Sequence, residues 1–357
     1  MLERQGYTRN QAEPRPAMPP AALVLIALLN QGHWIGGQPG EINLQWSAKS
    51  DLPAAVVEWQ LQYGDTQLGT GRVALKSGAK QATLTITPPP VRALCEVECS
   101  FNVKAADTGK TIIKTRTTLH IYPADLLAKV GARLGAKSLA VWDRADGLPA
   151  ILKDAKIPFT RLDDESNLQF TKYDILVVSQ DQLRERPFGQ ASLLGHVQNG
   201  TSLLVLRQIR VKTVAGYALQ RRTVPAKLTW REGAGLLAHL RTRELSTGED
   251  AWAIQLPADE PALELVYWPR EVRSAEPAPI DALLVSKTLG QGRVVLCQIP
   301  LGNWKQDPLA QLFLADALEY LSSRPEPTPP PSRRPPPPTP PPSPRVPQLL
   351  DPVKVSP

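Results

Sequence analysis

Between Cys95 and Lys104 the chain alternates strictly: Cys95, Val97, Cys99, Phe101 and Val103 are interleaved with Glu96, Glu98, Ser100, Asn102 and Lys104. A period of two puts the two sets on opposite faces of an extended strand, one face in a core and the other in water. The same pattern recurs at Ile42, Leu44 and Trp46, at Val57, Trp59, Leu61 and Tyr63, and at Ala82, Leu84 and Ile86. Ile113, Thr115, Thr117, Leu119 and Ile121 repeat it once more, and Gly69 to Lys76 supplies a further strand. Strands about a dozen residues apart, separated by Gly, Asp and Pro turns, predict an immunoglobulin-like β-sandwich over residues 38–123. In this register Trp46 and Trp59 face the core and His120 faces water.

After Pro123 the period changes. Leu126, Leu127, Val130 and Leu134 sit at helical spacing and lead into a short apolar strand, Ser138 to Trp142. Gly147-Leu148-Pro149 opens a helix, Phe159 to Leu162 and Tyr173 to Val178 read as strands, Gln190 to Gln198 as a helix ended by Asn199-Gly200, and Ser202 to Leu206 as a buried strand. This alternation predicts a parallel, flavodoxin-like doubly wound α/β sheet over residues 124–323. A β-rich insertion at about 209–280 interrupts it, with strand-like pieces at Ala251 to Leu256 and Leu263 to Trp268. The close is a hairpin, Ala282 to Thr288, Gly290-Gln291-Gly292, Arg293 to Ile299, followed by a helix capped by Asp307 with Pro308 in its first turn.

The ends differ in composition. Of the 37 prolines, 16 fall within residues 325–357, so residues 324–357 read as a disordered, proline-rich extended tail. That tail and the N-terminal segment 1–37 hold over half of the formal net charge of +7, and no cluster of Lys and Arg marks the body as a nucleic-acid surface. The apolar run 21–29 is too short for a bilayer-spanning helix, so no membrane span is expected. Its length suits the core of an export signal, although no good cleavage site follows Leu29. Periplasmic or secreted and cytoplasmic locations both stay open, and Met18 is an alternative start. Cys95 and Cys99 stand about 13 Å apart on one strand and cannot bond to each other.

Motifs for chemistry are missing. No Gly-x-Ser-x-Gly or Gly-x-Cys-x-Gly elbow occurs, and Cys297 lies inside the last strand with no glycine two residues to either side. The four histidines, His33, His120, His196 and His239, have no metal-ligand spacing, and the glycines follow neither a dinucleotide-binding nor a Walker pattern. No catalytic residue, metal or cofactor is therefore expected. Asp163, Asp164 and Glu165 lie in a polar turn where solvated charge is the ordinary state. In a doubly wound sheet the ligand crevice lies at the carboxyl ends of the strands. That places candidate ligand-binding residues at Asp143, Arg144, Asp163, Ser179, Gln180, Arg207 and Gln208.

Several stretches carry a family resemblance: Leu44-Gln45-Trp46 and Gly69-Thr70-Gly71 in the sandwich, then Leu139 to Asp143, Tyr173 to Val178, Val197 to Gly200, Gly290 to Gln298, Asp307-Pro308 and Leu318 to Leu321. Over roughly residues 41–322 the chain resembles the C-terminal region of bacterial glycoside hydrolase family 2 (β-galactosidase-like) proteins. There a sandwich is followed by a class I glutamine amidotransferase-like domain. The resemblance implies a carbohydrate-related context and an amidotransferase-like fold without amidotransferase chemistry. The family's catalysis resides in a (β/α)₈ barrel of about 250 residues, for which this chain has no room. The catalytic glutamates have no positions here.

The expectation is a non-catalytic accessory or binding protein, or a fragment of a larger hydrolase, whose partners are a carbohydrate, a glycoside hydrolase or a second copy of itself. The alternative is a hydrolase acting on a glycoside or ester through the strand ends. A surface scaffold that uses the proline tail as a spacer is a third reading.

Overall fold

The computed structural model describes residues 24–29, 32–47, 52–145, 147–164, 172–185, 189–222, 228–231, 235–237, 240, 251–258, 260, 262, 264–268, 279–301 and 304–323. The proline-rich tail, His239 and the acidic residue Glu165 lie outside them. The fold is predominantly β-sheet.

The first eight strands are β1 (Val24–Leu29), β2 (His33–Ile35), β3 (Gly40–Ser47), β4 (Ala55–Tyr63), β5 (Thr66–Leu75), β6 (Gln81–Ile86), β7 (Cys95–Ala105) and β8 (Thr111–Tyr122). They form two sheets, β1-β3-β6 and β2-β8-β7-β4-β5. The run whose length suits an export signal therefore includes an edge strand, paired antiparallel with β3 from Val24 opposite Ser47 to Leu29 opposite Ile42. The alternating residues meet between the sheets: Ile42, Leu44, Val57, Leu61, Leu84, Val97, Cys99, Phe101, Val103 and Leu119 are all fully buried in one core. Cys95, expected to share that face, is only half-buried, because it is the first residue of its strand. Trp59 is half-buried as well. Its indole lies over the glycines of β5, and a Cβ added at Gly71 would stand 2.6 Å from the ring.

Beyond Pro123 the elements are α1 (Ala128–Leu134), β9 (Leu139–Trp142), α2 (Gly147–Asp154), β10 (Thr160–Leu162), β11 (Ile175–Val178), α3 (Gly189–Gln198) and β12 (Ser202–Val205). Then come β13 (Thr213–Val214), β14 (Tyr217–Arg222), β15 (Thr229–Arg231), β16 (Ala251–Leu256), β17 (Glu264–Trp268), β18 (Ile280–Leu289), β19 (Gly292–Cys297) and α4 (Pro308–Ser322). Each segment read as helix or strand from periodicity falls within two or three residues of its element. The α4 start follows the capping rule, with Asp307 Oδ1 accepting from the amides of Leu309 at 3.0 Å and Ala310 at 3.2 Å.

Five of these strands are parallel neighbours in the order β10-β9-β11-β12-β19. The chain steps from β9 outward to β10 and then returns past β9 to β11, so the direction of winding reverses beside β9. Both faces of β9, β11, β12 and β19 are buried, whereas Thr160 and Arg161 of the edge strand β10 are exposed. Val141, Val177, Leu204 and Val295 pack against α1, α2 and α4, and Trp142, Val178, Val205 and Leu296 pack on the other side with Leu193 and Val197 of α3. Tyr122, the last residue of β8, belongs to the first of these cores.

The described strands of the insertion join the same sheet. β18 pairs antiparallel with β19, and β16, β14 and β13 continue outward, making one sheet of 11 strands with β15 and β17 at its side. Among the described residues no helix is long and apolar enough to cross a membrane.

Candidate functional site at the strand ends

The carboxyl ends of β9, β11, β12 and β19 lie in one row, because Trp142 is opposite Val178, Val178 opposite Val205 and Val205 opposite Leu296. Six of the seven expected ligand residues follow these strands directly, and the structure gathers them there. The side chains of Asp143, Arg144, Gln180 and Gln208 bond to main-chain groups, whereas the Nε of Arg207 is buried without a partner among the described residues.

Asp143 is buried and serves the turn into α2: Oδ1 accepts from Ala145 N at 2.7 Å and Oδ2 from Leu148 N at 3.0 Å. Arg144 is exposed, with Nε donating to the carbonyl of Asp163 at 3.2 Å and the guanidinium 4.0 Å from Asp164. Asp163 itself is exposed after β10 and pairs with Arg161 at 3.2 Å. It takes no part in the buried row. Ser179 is buried, and Gln180 Nε2 donates to the carbonyl of Leu301 at 2.8 Å. Arg207 offers its carbonyl to Asp181 N at 3.0 Å.

Gln208 is the centre of the arrangement and is fully buried. Its Oε1 accepts from Leu183 N at 3.0 Å, its Nε2 donates to the carbonyls of Ser179 at 2.8 Å and Leu206 at 2.7 Å, and its main-chain amide donates to Gln298 Oε1 at 3.2 Å. Three further residues belong to the set and were not singled out from sequence. Gln182 bridges Arg144 N and the carbonyl of Gln180, Asp181 accepts from Ile209 N at 2.8 Å, and Gln298 closes the far side. The signal was present: an uncharged amide follows three of the buried strands within a few residues.

Chemically the row is quiet. It holds amides, a serine, two arginines and two carboxylates, Asp143 and Asp181, that accept from main-chain amides. The thiol nearest to it, Cys297, is fully buried in β19, and burial pushes it up to about 12. No group of His, Cys, Asp and Glu able to hold a metal occurs among the described residues.

Titratable side chains do meet elsewhere on the same sheet. Tyr217 donates to Glu260 at 2.6 Å, and Lys287 donates to Glu260 at 2.9 Å and to the Tyr217 oxygen. Burial, then the hydrogen bond to Glu260, raises Tyr217 above the ordinary tyrosine value. Burial opposes ionisation of Glu260 and Lys287, but their hydrogen bonds outweigh it, holding Glu260 below and Lys287 above their usual ranges. At neutral pH the trio is a neutral phenol, a carboxylate and an ammonium, all in their resting forms. None is poised as base or nucleophile.

No family profile and no curated protein matches the chain. Solved structures share part of the backbone arrangement, two of them over about a third of this chain. One is a family 76 glycoside hydrolase from a bovine Bacteroides thetaiotaomicron strain, 9% identical over 32% of this chain and 23% of that one, with a TM-score of 0.20. The other is the calcium-binding domain CBD12 of CALX1.1, 15% identical over 29% of this chain and 47% of that one, with a TM-score of 0.22. The chain thus spans less than half the length of either, and likenesses at this level carry no argument about function.

Proposed function

We propose that this chain is a non-catalytic binding or assembly protein of carbohydrate-related context. In this reading an immunoglobulin-like sandwich is joined to a flavodoxin-like, amidotransferase-like sheet that serves as scaffold. The order β10-β9-β11-β12-β19, with the winding reversed beside β9, supports the doubly wound assignment. The two facing sheets β1-β3-β6 and β2-β8-β7-β4-β5 support the immunoglobulin-like one.

The observation that carries the functional reading is the commitment of Gln208. In an enzyme of this architecture the strand ends present reactive groups to a crevice. Here the centre of that edge is a carboxamide whose oxygen and nitrogen are both spent on backbone groups. The neighbouring Asp143 is likewise spent on a turn.

The test is a turnover screen of the purified full chain against p-nitrophenyl glycosides, p-nitrophenyl esters and glutamine, with light scattering on the same sample. No hydrolysis above background, together with glycan binding or a defined oligomer, is expected. Turnover that disappears in Asp143→Asn or Asp163→Asn would overturn the reading and establish a hydrolase acting at the strand ends.

A further inference from the structure

The outer face of the five-stranded sheet of the sandwich carries a groove of about 580 Å³, within the size range of small-ligand sites. Strand register builds it in two rows. Arg72, Glu58, Asn102 and Lys114 lie side by side across β5, β4, β7 and β8, and Thr70, Gln60 and Ser100 form the next row. Neighbours in a row are about 4.8 Å apart and the rows about 6.8 Å. The face thus offers a two-dimensional grid of hydrogen-bonding groups.

Charge on this grid is unevenly matched. Glu58 is neutralised by Lys104 at 2.6 Å, whereas Arg72 and Lys114, at the two ends of one row, have no acidic partner among the described residues. Between them Asn102 has its carboxamide oxygen enclosed and without a donor. The large exposed hydrophobic side chains of the described residues, Tyr63 and Leu94, both lie outside the groove.

These features select an occupant. A peptide docking on a sheet face needs open apolar side-chain pockets, whereas the apolar residues lining this groove, Trp59 and Phe101, are half-buried and fully buried. A nucleic acid needs a continuous track of cations, whereas here Arg72 and Lys114 are separated by Glu58 and Asn102, and Arg116, beside Ser100 in the second row, is paired with Glu98 at 3.4 Å. A chain rich in hydroxyls with carboxylates at intervals matches both the neutral floor and the charged ends. We propose that the groove binds an acidic oligosaccharide, a sugar chain bearing uronate carboxylates. Arg72 and Lys114 take the carboxylates, and Gln60, Ser100 and the side-chain nitrogen of Asn102 take the hydroxyls. The inference rests on the carbohydrate-related reading above and adds to it a face and a ligand class.

Calorimetric titration of the full chain with hexagalacturonate, with cellohexaose and with a single-stranded oligonucleotide of equal charge tests it. Hexagalacturonate should bind, more weakly at high salt. Arg72→Ala, Lys114→Ala and Asn102→Ala should each weaken it about tenfold, equivalent to ~1.4 kcal/mol. The exposed control Lys80→Ala should leave affinity unchanged, and all four variants should melt as the parent does. No hexagalacturonate binding, equal binding of cellohexaose or of the oligonucleotide, or affinity indifferent to the three groove variants would overturn the proposal. Glycoside turnover in the same samples would overturn the non-catalytic reading while leaving the groove intact. Absence of both binding and turnover would overturn the groove alone.

Discussion

The main-chain amide of Gln208 donates to the side-chain oxygen of Gln298 across 90 residues of sequence, at 3.2 Å. The contact orients the Gln298 carboxamide and ties the loop after β12 to the loop after β19. Gln208→Leu removes the acceptor for Leu183 N and the donors to Ser179 and Leu206, leaving buried backbone groups unpaired. Such losses cost about 2–4 kcal/mol in total. Urea unfolding should show a lower midpoint with an unchanged slope. A variant as stable as the parent would mean that the network is dispensable.

Asp143 tests whether a strand-end carboxylate is structural. Its two oxygens hold the amides of Ala145 and Leu148 at the entrance to α2. Asp143→Ala should lower stability by about 1–2 kcal/mol, in the range of a lost helix cap. Asp163→Ala, at an exposed residue paired with exposed Arg161, should change stability by less than about 0.5 kcal/mol.

Acid should reveal Asp174. Its carboxylate accepts from both the amide and the hydroxyl of Ser138 at 2.8 Å, with Lys137 at 3.8 Å. The backbone hydrogen bond first, then the hydroxyl and Lys137, hold it below the ordinary value of 3.8. The folded chain therefore binds this proton less readily than the unfolded chain. The stabilisation is complete above the ordinary value and is lost as pH falls through the depressed one. Asp174→Asn should be less stable than the parent at pH 7, and the gap in urea midpoint should close toward pH 3. A gap independent of pH would contradict the assignment.

Thiol labelling separates the three cysteines. Burial pushes Cys99 and Cys297 to about 12, so neither is a thiolate at pH 8. Cys95 is half-buried, with its thiol on the carbonyl of Ala93 at 3.4 Å. Native protein should react with 5,5′-dithiobis(2-nitrobenzoate) at one site, lost in Cys95→Ser, and unfolded protein at three. Rapid native labelling of Cys297 would mean that the strand-end row opens.

Two glycines should respond oppositely to alanine. At Gly71 the added Cβ meets the Trp59 ring at 2.6 Å, so Gly71→Ala should cost about 1–3 kcal/mol and shift tryptophan emission. At Gly195, within α3, the added Cβ meets nothing within 4 Å, and Gly195→Ala should stabilise by up to about 1 kcal/mol.

What the sequence disclosed follows from what periodicity encodes. Val97, Cys99, Phe101 and Val103 alternate with exposed or half-buried residues, so strand, face and core were legible together. The Asp307-Pro308 start of α4 was legible because capping is a local interaction. The joining of β14, β16 and β18 to the parallel strands was not, since pairing between distant segments leaves no local trace. The strand-end row was legible as a place and not as a chemistry. Arg207 and Gln208 fall there by topology alone, but that Gln208 would be consumed by Leu183, Ser179 and Leu206 depends on loop paths that no spacing rule contains. The polar groove on the sandwich was hidden differently. Alternation marks Glu58, Asn102 and Lys114 merely as wet, and only register shows them to be neighbours.

The insertion between β12 and β19 also sets an order of events on the ribosome. Leu203 to Val205 have Val294 to Leu296 as their parallel partners, and everything from β13 to β18 must be made in between. Until then the nascent chain carries a growing sheet with an uncovered apolar edge at β12, the circumstance in which chaperones are recruited and premature strand pairing occurs. Closure of this sheet is a late, long-range step, and it comes only when the last strand and the Asp307-capped helix behind it have emerged.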